Sequence, residues 1–316
     1  MTVVRKQRRA RKQQDDILKI NQIKPGTNAF WTILMGIIAI VCVLPIILVY
    51  IISFTSESSL IAKGYSFFPQ AFSLDAYRYL FGATGNVLFA SFRTTMVVTI
   101  AGTVFSMIVS SLLAYVLSRP DYPYRHVVSF LVLFTMLFNG GLVPTYMVNT
   151  RFLGLMDTIW VLILPMSVNA FWIMILRTFF KSVPTAIIES ARIDGAGELT
   201  TFLRIVVPLS KPGLATIGLF TVIQYWNDWF NGMLYINTPQ LTPLQTLLWS
   251  IQNNLEYPRS NASNMSAADM SSALANTPTD SARMAMTVLI ITPMLFGYPF
   301  FQKYFVKGLT LGGVKE

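Results

Sequence analysis

Six stretches of this chain, near residues 30–53, 93–118, 127–147, 158–178, 213–235 and 284–304, are apolar with few or no charges inside. A helix of about 20 such residues crosses the roughly 30 Å of hydrocarbon in a bilayer. Six of them in 316 residues leave little room for a soluble core. The composition agrees: 53% hydrophobic residues, 12% charged residues and a mean hydropathy of +0.54 give far too few charges to cover a globule. The expected fold class is all-α, a polytopic membrane protein with six transmembrane helices.

The net charge of +10 does not point to nucleic acid, because its distribution follows the apolar runs. Arg5, Lys6, Arg8, Arg9, Arg11, Lys12, Lys19 and Lys24 precede the first span, in a basic tail over residues 1–29 that suits lipid headgroups. With that tail inside, the inner segments hold 18 of the 24 Lys and Arg residues and the outer segments six. The bias places both termini in the cytoplasm. The first run, Phe30 to Ser53, is too long for a cleavable signal peptide and reads as an uncleaved anchor. Cys42, the only cysteine, lies inside it, which excludes an intrachain disulfide and makes it a packing residue. His126 stands without a cysteine or carboxylate cluster, so no metal site is expected.

The second span carries Gly102, Ser106, Ser110 and Ala114 at i, i+4 spacing, a stripe of small residues suited to a close helix–helix face. The third ends in Phe138-Asn139-Gly140-Gly141-Leu142-Val143-Pro144-Thr145-Tyr146, where glycines and a proline break the helix. Two readings stand there: irregular backbone lining a cavity, with Asn139 facing the pathway, or a plain helix end. The outer half of the fifth span reads Gln224-Tyr225-Trp226-Asn227-Asp228-Trp229-Phe230-Asn231. Amides and a carboxylate at that depth are costly unless they pair or face water. Gln224, Trp226, Asn227 and Asp228 are therefore candidates either for contact with a sugar, whose ring faces are apolar and edges polar, or for structural pairing. Tyr235 reads as part of an aromatic belt. An outer loop of nearly 50 residues, Ile236 to Arg283, follows; its later part, Ser260 to Ser281, is rich in Ser, Ala, Asn and Thr, as in a mobile segment that meets a partner or an inert insertion.

Between the fourth and fifth spans lies a polar segment of about 35 residues, Arg177 to Lys211. Pro184 suits a helix start, Ile187, Ile188 and Ala191 give an apolar side, Glu189, Arg192 and Asp194 supply charge, and Asp194-Gly195 makes a turn. A second short helix with Leu199, Phe202, Ile205 and Val206 on one side closes at Pro208 and Pro212. Such a helix-turn-helix, residues 182–212, is built to dock in a cleft of a soluble partner. A loop lying on the bilayer would explain the apolar face but not the Asp-Gly break.

Glu189-Ser190-Ala191, Asp194-Gly195-Ala196, Phe202, Ile205, Pro208 and Pro212 resemble the coupling motif of permease subunits in bacterial ATP-binding-cassette (ABC) importers, usually written EAA, DGA, F, I, P and P. Ser190 departs from the usual first Ala of that motif. The tail Gly308 to Glu316 is similar to that of the smaller permease of maltose-type carbohydrate importers, and Phe138 to Tyr146 is similar to a stretch in the subgroup that takes up polysaccharide fragments. The resemblance implies one transmembrane permease domain over residues 30–316. Its implied partners are a second permease, an ATPase homodimer gripping the coupling segment, an extracytoplasmic solute-binding protein and an oligosaccharide substrate. It implies that Glu189, Ser190, Ala191, Asp194, Gly195, Ala196, Phe202, Ile205 and Pro208 couple to the ATPase, and that Gly312 and Gly313 touch it. It places the chain in the bacterial plasma (inner) membrane. In maltose-type importers the membrane sugar site lies mainly in the other permease, which counts against a substrate role for Asp228.

No G-x-x-x-x-G-K-[ST] phosphate loop occurs, so the chain is not expected to be an enzyme or to bind a cofactor, and ATP with Mg²⁺ belongs to the partner ATPase. Two alternatives remain: an ABC permease for a solute other than a sugar, and a self-sufficient ion-coupled carrier or channel that uses Asp228.

Overall fold

The computed structural model describes residues 25–82, 85–260 and 280–313, with side-chain surroundings for 26–82, 85–253 and 280–299. These residues form helices α1 (Pro25–Ser53), α2 (Glu57–Lys63), α3 (Asp75–Gly82), α4 (Gly85–Ser118), α5 (Arg125–Leu137), α6 (Leu142–Phe152), α7 (Ile159–Met166), α8 (Ala170–Lys181), α9 (Thr185–Ile193), α10 (Glu198–Leu209), α11 (Lys211–Trp226), α12 (Phe230–Tyr235), α13 (Leu244–Ser260) and α14 (Asp280–Gly313). No strand occurs among the described residues beyond an isolated antiparallel bridge, Thr55 to Phe72.

Three helices are long and apolar enough to cross a membrane alone: Gly26–Ser53, Gly85–Ser118 and Asp280–Pro299. The other apolar runs are bent pairs: α5 with α6 at 112°, α7 with α8 at 53°, and α10 with α11 at 84°. Local chemistry makes the first two breaks. After α5 the Asn139 side chain accepts from the Gly141 backbone N–H at 2.9 Å, and Gly141 takes φ +88°, open to glycine without strain. The expected third span, 127–147, therefore does not run as one helix. Before α8 the Asn169 carboxamide caps the helix, accepting from the N–H groups of Phe171 and Trp172 at 2.9 and 3.3 Å. The run expected over 213–235 divides into α11 and α12 at Asn227–Trp229.

Helix α4 is the central post, packing against α11 and α8. Its stripe of small residues is buried, and a Cβ on Gly102 would stand 2.7 Å from the Tyr225 ring of α11. Close approach at small residues holds this pair where water supplies no hydrophobic drive. A second core joins Ala76 and Leu80 of α3, Leu88 of α4, Leu244 of α13 and Ala282, Ala285, Met286 and Ile290 of α14. The segment expected as a loop over Ile236 to Arg283 thus carries a 17-residue helix, Leu244–Ser260, anchored by a buried Leu244. The Ser- and Asn-rich stretch that follows, 261–279, lies outside the described residues.

Two further expectations are corrected. Cys42 is exposed, not packed: it sits on α1, whose apolar side chains from Phe30 to Leu44 stay largely exposed as on a helix facing lipid or another chain. Tyr235 is 2% exposed, so it is no belt residue; it stacks on Tyr146 at 5.6 Å, and its hydroxyl accepts from the Asn149 carboxamide at 3.0 Å.

Candidate coupling site

Helix α9 starts after Pro184, whose φ of −57° suits a helix entrance, and ends at Asp194. Its close is a Schellman motif. The Gly195 N–H donates to the Arg192 carbonyl and the Ala196 N–H to the Ala191 carbonyl, at 3.0 and 2.9 Å, with Gly195 at φ +83°. Asp194-Gly195-Ala196 is thus the geometry of a helix stop, with glycine at the left-handed position where a side chain is strained.

Beyond that elbow α10 runs back. Ile188 of α9 and Phe202 and Val206 of α10 enter one core with Ala114, Tyr115 and Leu117 of α4, Leu176 and Phe180 of α8, and Ile217 of α11. Phe202 is 5% exposed and packs on the rings of Tyr115 and Phe180, with centroids 5.0 and 6.1 Å away. Residues Phe202–Val206 form a π turn. Pro208, just beyond, has no N–H for the Arg204 carbonyl and its ring crowds that group, which favours the wider turn.

The motif residues divide between two tasks. Ala191 and Phe202 are buried, and Ala196 and Ile205 half-buried, so they hold the elbow to the helices. Glu189, Ser190, Asp194 and Pro208 are exposed, and Glu189 makes no side-chain hydrogen bond or ion pair among the described residues. Around them stand Ile193, 86% exposed, and Leu199, 64% exposed. The outer surface of the elbow therefore combines a free carboxylate with uncovered aliphatic side chains.

An ion-pair network ties this elbow to the end of α4. Arg192 donates from Nη2 to Glu198 Oε1 at 2.6 Å and from Nη1 to Asp121 Oδ2 at 2.7 Å. Arg119 adds contacts to Asp121 at 3.5 Å and Glu198 at 3.9 Å, and the Tyr115 hydroxyl donates to Glu198 Oε2 at 2.6 Å. The Tyr115 hydrogen bond, then Arg192 and Arg119, hold the Glu198 carboxyl below the usual carboxylate range. Arg192 does the same for Asp121, while its own guanidinium is held charged by Glu198 and Asp121. Arg119 entered the sequence reading only within the count of inner basic residues, and Asp121 and Glu198 not at all, because a contact between positions 121 and 192 leaves no trace in local spacing.

The pathway candidates separate too. Gln224 is half-buried and accepts a long hydrogen bond, 3.5 Å, from the Trp172 indole. Asn227 is exposed and accepts from Gln245 at 3.2 Å. Trp226 is 3% exposed, with its indole donating to the Ile290 carbonyl at 3.2 Å, which makes it a packing residue. Asp228 accepts from the Asn231 N–H at 3.1 Å and its carboxamide at 3.0 Å, the hydrogen bonds that start α12. Asn139 is taken up by the turn before α6. Gly312 and Gly313 end α14, where only the backbone course is described.

No family model matches the chain. It is 42% identical over 277 residues to the polygalacturonan/rhamnogalacturonan transport system permease protein YtcP of Bacillus subtilis, covering 88% of this chain and 94% of the relative. Protein LplC of the same organism is 37% identical over 281 residues, covering 89% and 92%. A solved structure, a chain from a bacterial ABC transporter involved in the import of the acidic polysaccharide alginate, superposes with a TM-score of 0.76 at 31% identity, covering 90% of this chain and 99% of that one. With an all-helical fold of membrane-spanning length and these relatives along nearly its whole course, the chain belongs to the family of ABC transport-system permease proteins that includes these sugar permeases.

Proposed function

We propose that this chain forms half of the translocation pathway of an ATP-driven importer for oligosaccharides, and that α9 and α10 transmit the ATPase cycle to its helices. One observation carries the coupling reading. The elbow is locked from within by the Schellman motif and the Arg192 network, yet presents Glu189, Ile193 and Leu199 outward, with no hydrogen-bond or ion-pair partner for the Glu189 carboxylate among the described residues. A rigid elbow with a free charged and apolar outer face is what a soluble partner needs in order to push on a membrane helix. In this reading the chain crosses the membrane six times, α11 and the pairs α5–α6 and α7–α8 completing the three straight spans, with both termini and the elbow of α9 and α10 in the cytoplasm. ATP and Mg²⁺ are held by an ATPase dimer, a second permease completes the pathway, and an extracytoplasmic binding protein delivers the sugar.

Sugar as the cargo is supported by the relatives, which carry polygalacturonan, rhamnogalacturonan and arabinooligosaccharides in their names. The test is purification of the tagged chain from its native cell by gentle solubilisation, followed by an ATPase assay. Recovery of a second permease and an ATPase with ATP turnover, lost with Glu189→Lys and Gly195→Pro, is the expected result. A homo-oligomer that moves solute without ATP would overturn the proposal.

A further inference from the structure

Helix α11 has three faces. Tyr225 turns toward α4, and Leu219, Ile223 and Trp226 toward α14. The third carries Phe220, Gln224 and Asn227, at i, i+4 and i+7 and so in line along the helix. Phe220 is 38% exposed and stacks flat on Trp172 of α8, with centroids 5.2 Å apart and planes 6° apart. The Trp172 indole reaches Gln224, and Asn227 takes a hydrogen bond from Gln245 of α13. One turn along α13 from Gln245, Trp249 stacks on Trp229 at 5.6 Å, and Trp229 remains 40% exposed. Two stacked aromatic pairs are thus joined by a row of carboxamides.

Depth gives this row its meaning. At about 1.5 Å per residue from Lys211, Phe220 lies about 14 Å and Asn227 about 24 Å along α11. The row therefore extends from the middle of a hydrocarbon core of roughly 30 Å to near its outer edge. Carboxamides on an open face at that depth do not face lipid, which cannot hydrogen-bond them. They face protein or a water-filled route. Flat aromatic pairs suit the apolar faces of sugar rings, and carboxamides, which both donate and accept, suit the hydroxyls at ring edges.

Resting on the oligosaccharide reading above, we infer that Trp172, Phe220, Gln224, Asn227, Gln245 and Trp229 form a sugar-contacting track along the translocation route, so that this subunit itself binds the glycan in transit. Trp226, buried against α14, and Asp228, half-buried and held by Asn231, lie off the track.

The test uses the complete transporter in proteoliposomes with its binding protein, offered galacturonate oligomers or neutral arabino-oligosaccharides. Trp172→Ala and the pair Gln224→Ala with Asn227→Ala are compared with Trp172→Phe, which keeps a flat ring. The expected result is intact assembly, with uptake of the transported oligomer reduced at least tenfold by the alanine variants and less than threefold by Trp172→Phe. Uptake equal to wild type in the alanine variants overturns the track while leaving the oligosaccharide reading standing. Alanine variants that lose the second permease overturn it as well, and assign this face to the contact between subunits. Wild-type transporter that moves neither oligomer but moves another solute removes the oligosaccharide reading, and the track with it.

Discussion

Gly195 is where backbone geometry and the proposed function meet. At φ +83° a side chain costs about 1–2 kcal/mol, so Gly195→Ala is expected to lower stability by about 1 kcal/mol and leave the elbow formed. Gly195→Pro is far worse, because its φ is fixed near −65° and it removes the N–H that donates to Arg192. Thermal unfolding of the purified chain checks the order wild type, Ala, Pro. Glu198 gives a pH prediction. Its folded carboxyl is held below the ordinary range by Tyr115, Arg192 and Arg119, so it binds its proton less readily folded than unfolded. The stabilisation is fully present above the ordinary carboxylate pKa of about 4.3 and is lost as pH falls through the lower folded value. The melting-temperature gap between wild type and Glu198→Gln should therefore be constant from neutral pH to about 5 and shrink below about 4. A gap that widens on acidification would contradict the network. Residue types and motif spacing made Gly195 and the helix stop legible in the sequence. They could not reveal the network, since Tyr115, Arg119, Asp121, Arg192 and Glu198 meet only after three segments fold together.

At the scale of elements, long apolar runs gave away the helices, and local polar chemistry decided where they break. The runs near residues 30–53, 93–118 and 284–304 each fall within one long helix, because their Ser and Thr hydroxyls bond back to carbonyls of the preceding turn and leave the helix running. Asn139 and Asn169 cap or turn the chain instead, which bends the runs around them. Helix α13 was not legible, because its mixed composition hides a single apolar face that is recognisable only once Leu244 meets Leu80 and Met286. Two substitutions test the packing. Phe202→Ala removes a ring buried between Tyr115 and Phe180 and should cost about 3–5 kcal/mol, loosening α10 from α4 and lowering uptake along with the melting temperature. Gly102→Leu drives a side chain into the Tyr225 ring and should destabilise by about 1–3 kcal/mol or more, whereas Gly36→Leu, on open surface, should leave the melting temperature unchanged.

For the whole molecule, the account is a lever joined to a conduit. The elbow of α9 and α10 shares one core with α4, α8 and α11, so a push on its outer face is delivered to the same helices that carry Trp172, Phe220 and Gln224. An inner anchoring face, with Ile188, Phe202 and the Arg192 pairs, therefore stands back to back with an outer face held for a partner. Because Cys42 is the only cysteine, Cys42→Ser gives a background on which one new thiol reports its own surroundings. The most direct measurement is cross-linking of Ile193→Cys, on that background, within the assembled transporter in membranes, with and without ATP. The account predicts a covalent adduct with the ATPase subunit whose yield changes with nucleotide and which Glu189→Lys suppresses. A thiol at position 193 that never captures the ATPase, and is instead modified by membrane-impermeant reagents from the outer side, would contradict it.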